Sequence, residues 1–233
     1  MIPSRTLLRF CGGATIVGAT LLALSSTVSF LFLQQGQALY RQPLYTPAQM
    51  LQFYGAVALL MGISGLAVLQ AGATKAAMLG LIGCLMTVLG LATLEIGTSA
   101  INAFIFPRLA NTPTALSLVS SPAGASLYWY LAGLVLQTFG PLMFGIAIVR
   151  ARTFPRMAGV LLIVTPLLGV VSFIDDPVVA AVTGIAFAVL CYGAFAWCGT
   201  RLLTRGDDAA MQRTAQGRLA EFDSKELVIS KKR

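Results

Sequence analysis

The 233-residue chain contains no histidine, and its charged residues are scarce. Charged side chains make up 10% of the residues, whereas a soluble domain has about a quarter. Without histidine, the chain cannot build bis-histidine haem ligation, the ordinary zinc and di-iron sites, or histidine-based acid–base catalysis. We therefore expect no metal, no cofactor and no enzymatic activity.

Cysteine is also rare, and the four residues, Cys11, Cys84, Cys191 and Cys198, form neither a CxxC pair nor a disulfide framework. Cys191 and Cys198 would share a helical face, but two turns separate them by roughly 10 Å, which is too far for a disulfide. We interpret all four as small packing residues. Glycines that follow one another closely in this chain lack the strand–turn–helix setting and the lysine of a phosphate-binding loop, so nucleotide binding is not predicted.

Long apolar stretches dominate what is present, and hydrophobic residues make up 57% of the chain. These stretches predict an all-α fold, an integral membrane bundle of six transmembrane helices. The approximate spans are 7–33, 47–70, 76–106, 127–149, 157–174 and 177–203. They form a transmembrane domain over residues 1–203. The basic tail that follows, residues 204–233, predicts a short amphipathic helix through Met211, Ala215, Leu219 and Phe222, resting on the inner leaflet or docking a partner.

The basic residues lie on alternate connections between these spans. Fourteen of the sixteen lysines and arginines fall on one predicted side of the membrane, and Arg41 and Arg108 are the other two. Because cytoplasmic loops retain lysine and arginine, the pattern places both the N and the C terminus in the cytoplasm. Attraction to anionic lipid headgroups explains the net charge of +8, and we expect no nucleic acid as a partner.

The first span also resembles a secretory signal, because a basic start precedes an apolar run. A signal's apolar region has about 7–15 residues, and this run is longer, so we expect a retained helix. Two later spans have predicted starts. Thr46-Pro47 and Asp176-Pro177 each place an N-cap residue before a proline at the first helical position. Pro107 is expected to end the third span, and a Ser/Ala/Pro-rich outer loop follows it to Ser126.

Small residues form one face of the third span at three- and four-residue steps. The glycines of this face are Gly80, Gly83, Gly90 and Gly97. Transmembrane helices associate through close backbone approach, so we predict that a neighbouring helix lies in this groove. A ligand channel along the groove is the alternative.

Glu95 is the only carboxylic acid inside a predicted span. An acid in hydrocarbon is costly and is by default a candidate functional residue. A straight helix would place it roughly 30 Å beyond Lys75, near the outer interface, with Asn102 on a later turn. Glu95 is therefore either a proton or ion site, or a carboxylate that reaches water, lipid headgroups, Arg41 or Arg108.

A second candidate group lies near the predicted midplane. Pro141 and Pro166 interrupt spans four and five at matching depths, and each frees the carbonyl four residues earlier. The polar side chains at this level are Gln137, Thr138 and Thr165. Paired interruptions at the midplane indicate binding sites in transporters, although kinks repaired by Ser, Thr or water also occur in proteins without a transport role.

The junction between spans four and five reads Arg150-x-Arg152-Thr153-Phe154-Pro155-Arg156-Met157-Ala158-Gly159. It resembles a junction found in many uncharacterised small bacterial multi-span membrane proteins. The resemblance covers spans four and five. It implies a helical bundle in the bacterial inner membrane and carries over no active site.

The sequence therefore predicts a non-enzymatic, multi-pass membrane protein, a structural or accessory subunit, and the resemblance implies that its membrane is the bacterial inner membrane. Its expected partners are membrane lipids, other membrane subunits or a second copy of the chain. The alternative is a small-molecule or ion transporter or binder with a site near the Pro141/Pro166 level. A membrane enzyme acting on lipid is a third class, and it would have to use Glu95 and the outer loop.

Overall fold

The computed structural model describes residues 5–32, 40–72, 76–109, 111–112, 125–171 and 176–230, and within them the regular elements are helices, with no strand. The helices are α1 (Arg5–Phe32), α2 (Tyr45–Ala71), α3 (Ala77–Gly90), α4 (Ser99–Phe104), α5 (Phe106–Leu109), α6 (Ala125–Ala151), α7 (Arg156–Val171) and α8 (Pro177–Ser230). A π-helical segment, Leu91–Thr98, joins α3 to α4. The all-α prediction is confirmed over these residues.

Five helical stretches are long and apolar enough to cross a membrane, as expected of a membrane protein. They are Thr6–Leu31, Tyr45–Ala71, Ala77–Leu109, Leu127–Ala151 and Val178–Thr204. The remaining apolar helix, α7, has 16 residues. It rises about 24 Å, against an apolar bilayer core of about 30 Å. The sixth span therefore stays a prediction.

The start of α2 differs from the sequence prediction. The helix begins at Tyr45 with Leu44 at the N-cap position, and no side chain caps it. The Ala48 N–H donates to the Leu44 carbonyl at 3.1 Å, so the first turn forms before Thr46 could act as a cap. The prediction that Thr46 is the N-cap was wrong. Pro47 lies within the first turn, where a backbone N–H would have no acceptor in the helix, so the proline removes no hydrogen bond.

The predicted cap of α8 is confirmed, whereas the predicted end of the third span is not. Asp176 Oδ1 accepts hydrogen bonds from the Val178 N–H at 2.8 Å and the Val179 N–H at 3.0 Å. Pro107 does not stop the third span, because the helix breaks earlier, at Ile105, and α5 then adds another turn that contains the proline. Proline is tolerated in a first turn because the N–H groups there have no acceptor in the helix.

The helices pack in two groups. α1 lies along both α2 and α8, and α3 lies along α6, while α7 packs between α6 and α8. α2 also contacts α3, the π segment and α4, so it joins the two groups. Two of the predicted site residues, Glu95 and Gln137, lie where α2, the π segment, α6 and α8 approach one another.

Close glycine contacts hold α1 against its neighbours. A Cβ on Gly18 would overlap the backbone nitrogen of Leu59 on α2. Gly12 of α1 and Gly199 of α8 face each other, and a Cβ on either would lie 2.9 Å from the other's carbonyl oxygen. The apolar part of α1 is therefore packed along two other helices of the bundle.

α8 is a single helix of 54 residues that continues past its apolar part to Ser230. The side chains from residue 205 onward lie outside the described part of the chain, so the amphipathic face of the tail stays a prediction. Residues 73–75, which contain Lys75, and residues 113–124 of the predicted outer loop also lie outside it.

Candidate functional site

Glu95 lies in the π-helical segment, near the middle of the longest apolar stretch of helix. The Ser99 hydroxyl donates to the backbone carbonyl of Glu95 and also lies 3.3 Å from that of Ile96. The Ser99 backbone N–H donates to the same two carbonyls, so Ser99 closes the end of the π segment with both its hydroxyl and its amide. Single π-helical turns inside α-helices are rare and frequently occur at functional sites.

Three other helices supply hydrogen-bond donors to the Glu95 carboxylate. The Tyr192 hydroxyl of α8 donates to Oε1 at 2.6 Å. Gln137 Nε2 of α6 lies 3.5 Å from the same oxygen, and Gln52 Nε2 of α2 donates to Oε2 at 2.5 Å. The carboxylate therefore ties the π segment to α2, α6 and α8 through three uncharged donors.

Two of these partners lie deep in the bundle. The Tyr192 side chain is 2% exposed and Gln137 is 6% exposed, whereas Glu95 and Gln52 are half-buried. We define the polar cluster as Glu95, Gln52, Gln137 and Tyr192.

The Gln137 amide is only half satisfied. Its Nε2 lies 3.5 Å from both Glu95 Oε1 and the Tyr192 hydroxyl oxygen, but its Oε1 is buried and has no partner. Turning the amide over would set two acceptor oxygens against each other at Glu95. The polar cluster therefore contains an unpaired acceptor, and an unpaired buried polar group costs about 1–3 kcal/mol.

Glycine makes room for this amide. A Cβ on Gly90 would lie 2.7 Å from the backbone nitrogen of Gln137 and 3.0 Å from its Oε1. Two turns toward the start of α3, a Cβ on Gly83 would lie 2.5 Å from the backbone nitrogen of Phe144. Residue numbers rise along α3 while those opposite fall along α6, so the two helices are antiparallel at backbone contact.

This packing explains why two predicted groups are one cluster. The sequence placed Glu95 near the outer interface and Gln137 near the midplane. Side chains on a helix lean toward its N-terminus, so on antiparallel helices Glu95 and Gln137 lean toward each other. The predicted depths came from counting residues along each helix, which ignores the direction in which a side chain leans. The prediction therefore separated Glu95 from Gln137, although the two side chains lie in contact.

Asn102 belongs to a second row of polar groups next to the cluster. Its Nδ2 donates to Gln49 Oε1 at 3.3 Å, and Gln49 Nε2 donates to the Ser29 hydroxyl of α1 at 3.1 Å. Gln49 lies one turn before Gln52 on α2. Polar side chains thus continue from Glu95 toward the predicted outer ends of the helices.

Thr138 and Thr165 do not join the polar cluster. The Thr138 hydroxyl donates to the Leu134 carbonyl of its own helix at 2.7 Å. The Thr165 hydroxyl lies 3.3 Å from the Leu162 carbonyl, which is the carbonyl that Pro166 leaves without a backbone partner. Each hydroxyl uses its only proton within its helix, and Thr165 repairs the proline interruption.

The four predicted packing glycines have different neighbours. A Cβ on Gly80 would overlap the Gln70 side chain of α2, whereas Gly83 and Gly90 lie against the backbone of α6. Gly97 is not in close contact, because a Cβ there would be 3.6 Å from its nearest neighbour. The π segment has more residues per turn than an α-helix, so the step from Gly90 to Gly97 no longer returns to the same face.

Sequence reasoning missed Gln52 and Tyr192. A usable signal existed for the first, because Gln49 and Gln52 are amides one turn apart in an otherwise apolar span. Tyr192 carried no separate signal, since tyrosine in a span is commonly an apolar or interfacial residue. Only the packing of α8 against the π segment reveals its role.

Other chemistry is sparse in the described part of the chain. All four cysteines are buried and free, as the two-turn spacing of Cys191 and Cys198 predicted for that pair. Within the residues that the structure describes, no three His, Cys, Asp or Glu side chains are grouped so that they could hold a metal ion. The chain matches no protein-family model, no curated protein and no solved structure.

Proposed function

We propose that the chain is a bacterial inner-membrane protein of six transmembrane helices with cytoplasmic termini, and that it binds a small solute at Glu95, as a transporter does. The observation that carries this proposal is the Glu95 carboxylate, held inside an apolar bundle by donors from α2, α6 and α8. This choice favours the transporter or binder over the accessory subunit.

The choice of a carboxylate supports a binding role. An ionised acid within hydrocarbon costs several kcal/mol, although water and hydrogen bonds reduce the cost. A structural tie between these helices needs no charge, because a glutamine at residue 95 could also bond to the neighbouring amides and hydroxyl. The charge therefore needs a reason beyond packing, and binding a solute supplies one.

The distribution of polarity supports access from the predicted outer side. Toward that side, the row of Gln49, Asn102 and Ser29 continues from the cluster. Toward the predicted cytoplasmic side, the neighbouring side chains include Leu91 and Phe144, each 1% exposed. A solute would enter along the polar row and meet an apolar closure beyond Glu95.

The accessory-subunit function has less support from the packing. The small-residue faces that could have received a partner helix are largely occupied by the chain's own helices, as Gly18, Gly83 and Gly90 illustrate. Membrane lipids remain the expected neighbours of the outward apolar side chains. Gly13 and Gly193 do have open space beside them, but nothing in the structure indicates what covers them.

Ligand-induced thermal stabilisation tests the proposal. We would follow unfolding of the detergent-purified protein with a panel of amines, alkali cations, amino acids, sugars and carboxylates. At least one class should stabilise the wild type, by about 2.7 kcal/mol at a hundred times its dissociation constant. Glu95→Gln should remove the effect and the control Glu221→Gln should keep it. Stabilisation by no class, or equal stabilisation of Glu95→Gln, would contradict the proposal.

The six-span arrangement has its own test. An epitope placed after Arg233 and one placed before Met1 should both be inaccessible to antibody in spheroplasts, whose inner membrane is exposed, and accessible after permeabilisation. If α7 does not cross the membrane, the chain has five spans and the two epitopes must lie on opposite sides. Detection of one epitope on sealed spheroplasts would therefore reject six spans.

A further inference from the structure

Resting on the proposed function, we infer that the solute bound at this site is a small monovalent cation, and that Gln137 Oε1 is one of its ligands. The inference comes from the donors and acceptors that the polar cluster has already used and from those it leaves free.

The donors of the cluster are directed at the carboxylate. The single proton of the Tyr192 hydroxyl lies on Glu95 Oε1, and the Gln52 and Gln137 amide nitrogens also face the carboxylate oxygens. The atom left over is an acceptor, Gln137 Oε1, which is buried without a partner on a side chain that is 6% exposed. A ligand that completes this cluster must therefore bring hydrogen-bond donors or positive charge.

The charge of the polar cluster also favours a cation. Glu95 is the only acid of the polar cluster, and its three partners, Gln52, Gln137 and Tyr192, carry no positive charge. An anion would meet the carboxylate as a like charge, and a neutral solute would leave its charge uncompensated. One carboxylate matches one positive charge, which favours a monovalent over a divalent cation.

Gln70 provides an internal contrast. It is a second fully buried amide with an unpaired atom, but there the unpaired atom is the donor Nε2, while its Oε1 accepts from the Thr153 hydroxyl at 2.7 Å. It lies near the opposite end of α2 from Gln52 and has no carboxylate among these partners. Gln70 is therefore a matched control, since substituting it removes a buried amide without touching the cation site.

The test compares three small solutes of similar size and different charge: ethylammonium, ethanol and acetate. Sodium and potassium chloride form a second arm that distinguishes a protonated amine from an alkali ion, with ionic strength held constant by the bulky N-methylglucammonium cation. Thermal unfolding is measured against solute concentration. Ethylammonium, an alkali ion or both should stabilise the wild type, while ethanol and acetate should not.

Two variants then test the role of Gln137. Gln137→Met removes the free acceptor and should weaken cation binding about tenfold or more, as loss of one hydrogen bond to a charged group does. Gln70→Met should leave the affinity unchanged.

The outcomes separate this inference from the proposed function. The wild type could be stabilised only by a non-cationic solute, such as ethanol, acetate or a sugar, in a way that depends on Glu95. That result would overturn the inference that the solute is a cation but would keep the proposed binding site at Glu95. Unchanged cation affinity in Gln137→Met would overturn Gln137 Oε1 as a ligand. Stabilisation by no solute at all would overturn the proposed function and the inference together.

Discussion

The α1–α2–α8 group and the contact between the π segment and α6 solve the same packing problem differently. In the first, glycines bring backbones into direct contact, as at Gly18 against Leu59 and Gly12 against Gly199. In the second, glycine also brings the helices close at Gly90, but the space beyond it holds the amide of Gln137 and the carboxylate of Glu95.

This difference shows what the π-helical turn does to the bundle. Along a regular α-helix, small residues at three- and four-residue steps would continue the close contact to the end of the span. The wider turn at Leu91–Thr98 changes the face, so Gly97 leaves the contact and Glu95 turns toward three other helices. One region is thus fixed by backbone contact, and the other by polar side chains that can also meet a ligand.

The largest expected effect tests the glycine contact. Gly18→Ala should cost about 3 kcal/mol or more, because its methyl group would overlap the α2 backbone, which cannot move aside as a flexible side chain can. Gly13→Ala on the same helix has open space and should be neutral, or stabilising by up to about 1 kcal/mol. Unfolding of both variants in the same detergent measures the difference. Equal stabilities would show that α1 and α2 are not in backbone contact.

The next effect concerns the polar cluster. Tyr192→Phe removes the 2.6 Å hydrogen bond to the Glu95 carboxylate and should cost about 1.5–3 kcal/mol, the range for hydrogen bonds to charged groups. In a Glu95→Gln background the same substitution should cost less, because the bond is then to a neutral group. A double-mutant cycle measures this coupling. Additive effects of the two substitutions would show that Tyr192 and Glu95 do not interact.

A smaller effect distinguishes the two threonines. Thr165→Val should cost about 1 kcal/mol, because it leaves the Leu162 carbonyl without the hydroxyl that replaces the backbone bond lost at Pro166. Thr138→Val should cost less, since the Leu134 carbonyl lies in regular helix and has a backbone partner as well.

Adding Pro166→Ala supplies the control for this pair. It gives residue 166 an N–H for the Leu162 carbonyl, so Thr165→Val should then cost no more than Thr138→Val. If Thr165→Val costs the same with and without the proline, the hydroxyl is not repairing the interruption.

A comparably small effect is expected at the start of α8, where Asp176 caps the helix. Asp176→Ala removes the acceptor for the Val178 and Val179 N–H groups and should cost about 1 kcal/mol. Asp176→Asn keeps an acceptor oxygen and should retain most of the stability. If the alanine and asparagine variants unfold together, the hydrogen bonds seen at this cap contribute nothing measurable.

Much of the architecture could be predicted from local patterns. The positions of the long apolar helices followed from runs of apolar residues, and the cap at Asp176 followed from a short motif. The start of α2 and the break at Ile105 could not be predicted in this way. Both depend on which backbone hydrogen bonds form at the helix end, and not only on which residue favours a cap. Thr46-Pro47 has the same pattern as Asp176-Pro177 but a different outcome.

The candidate site was predictable only in part. Glu95 stood out as the one acid in an apolar span, and Gln137 as an amide beside Pro141. Their contact depends on the register of α3 against α6 and on the lean of side chains on antiparallel helices. Both are properties of a pair of packed helices and cannot be derived from a single position in the chain. Thr138 and Thr165 were placed with them by depth alone, and depth does not say which way a hydroxyl donates.

The sequence by itself determined that this chain is helical and apolar enough for a membrane, because composition and the length of apolar runs depend on no neighbour in space. Only the tertiary structure decided that a π-helical turn presents Glu95 to Gln52, Gln137 and Tyr192. The physical reason is that a hydrogen bond needs its two atoms within about 3 Å, and residues 40 to 100 positions apart in the chain reach that distance only when the helices pack.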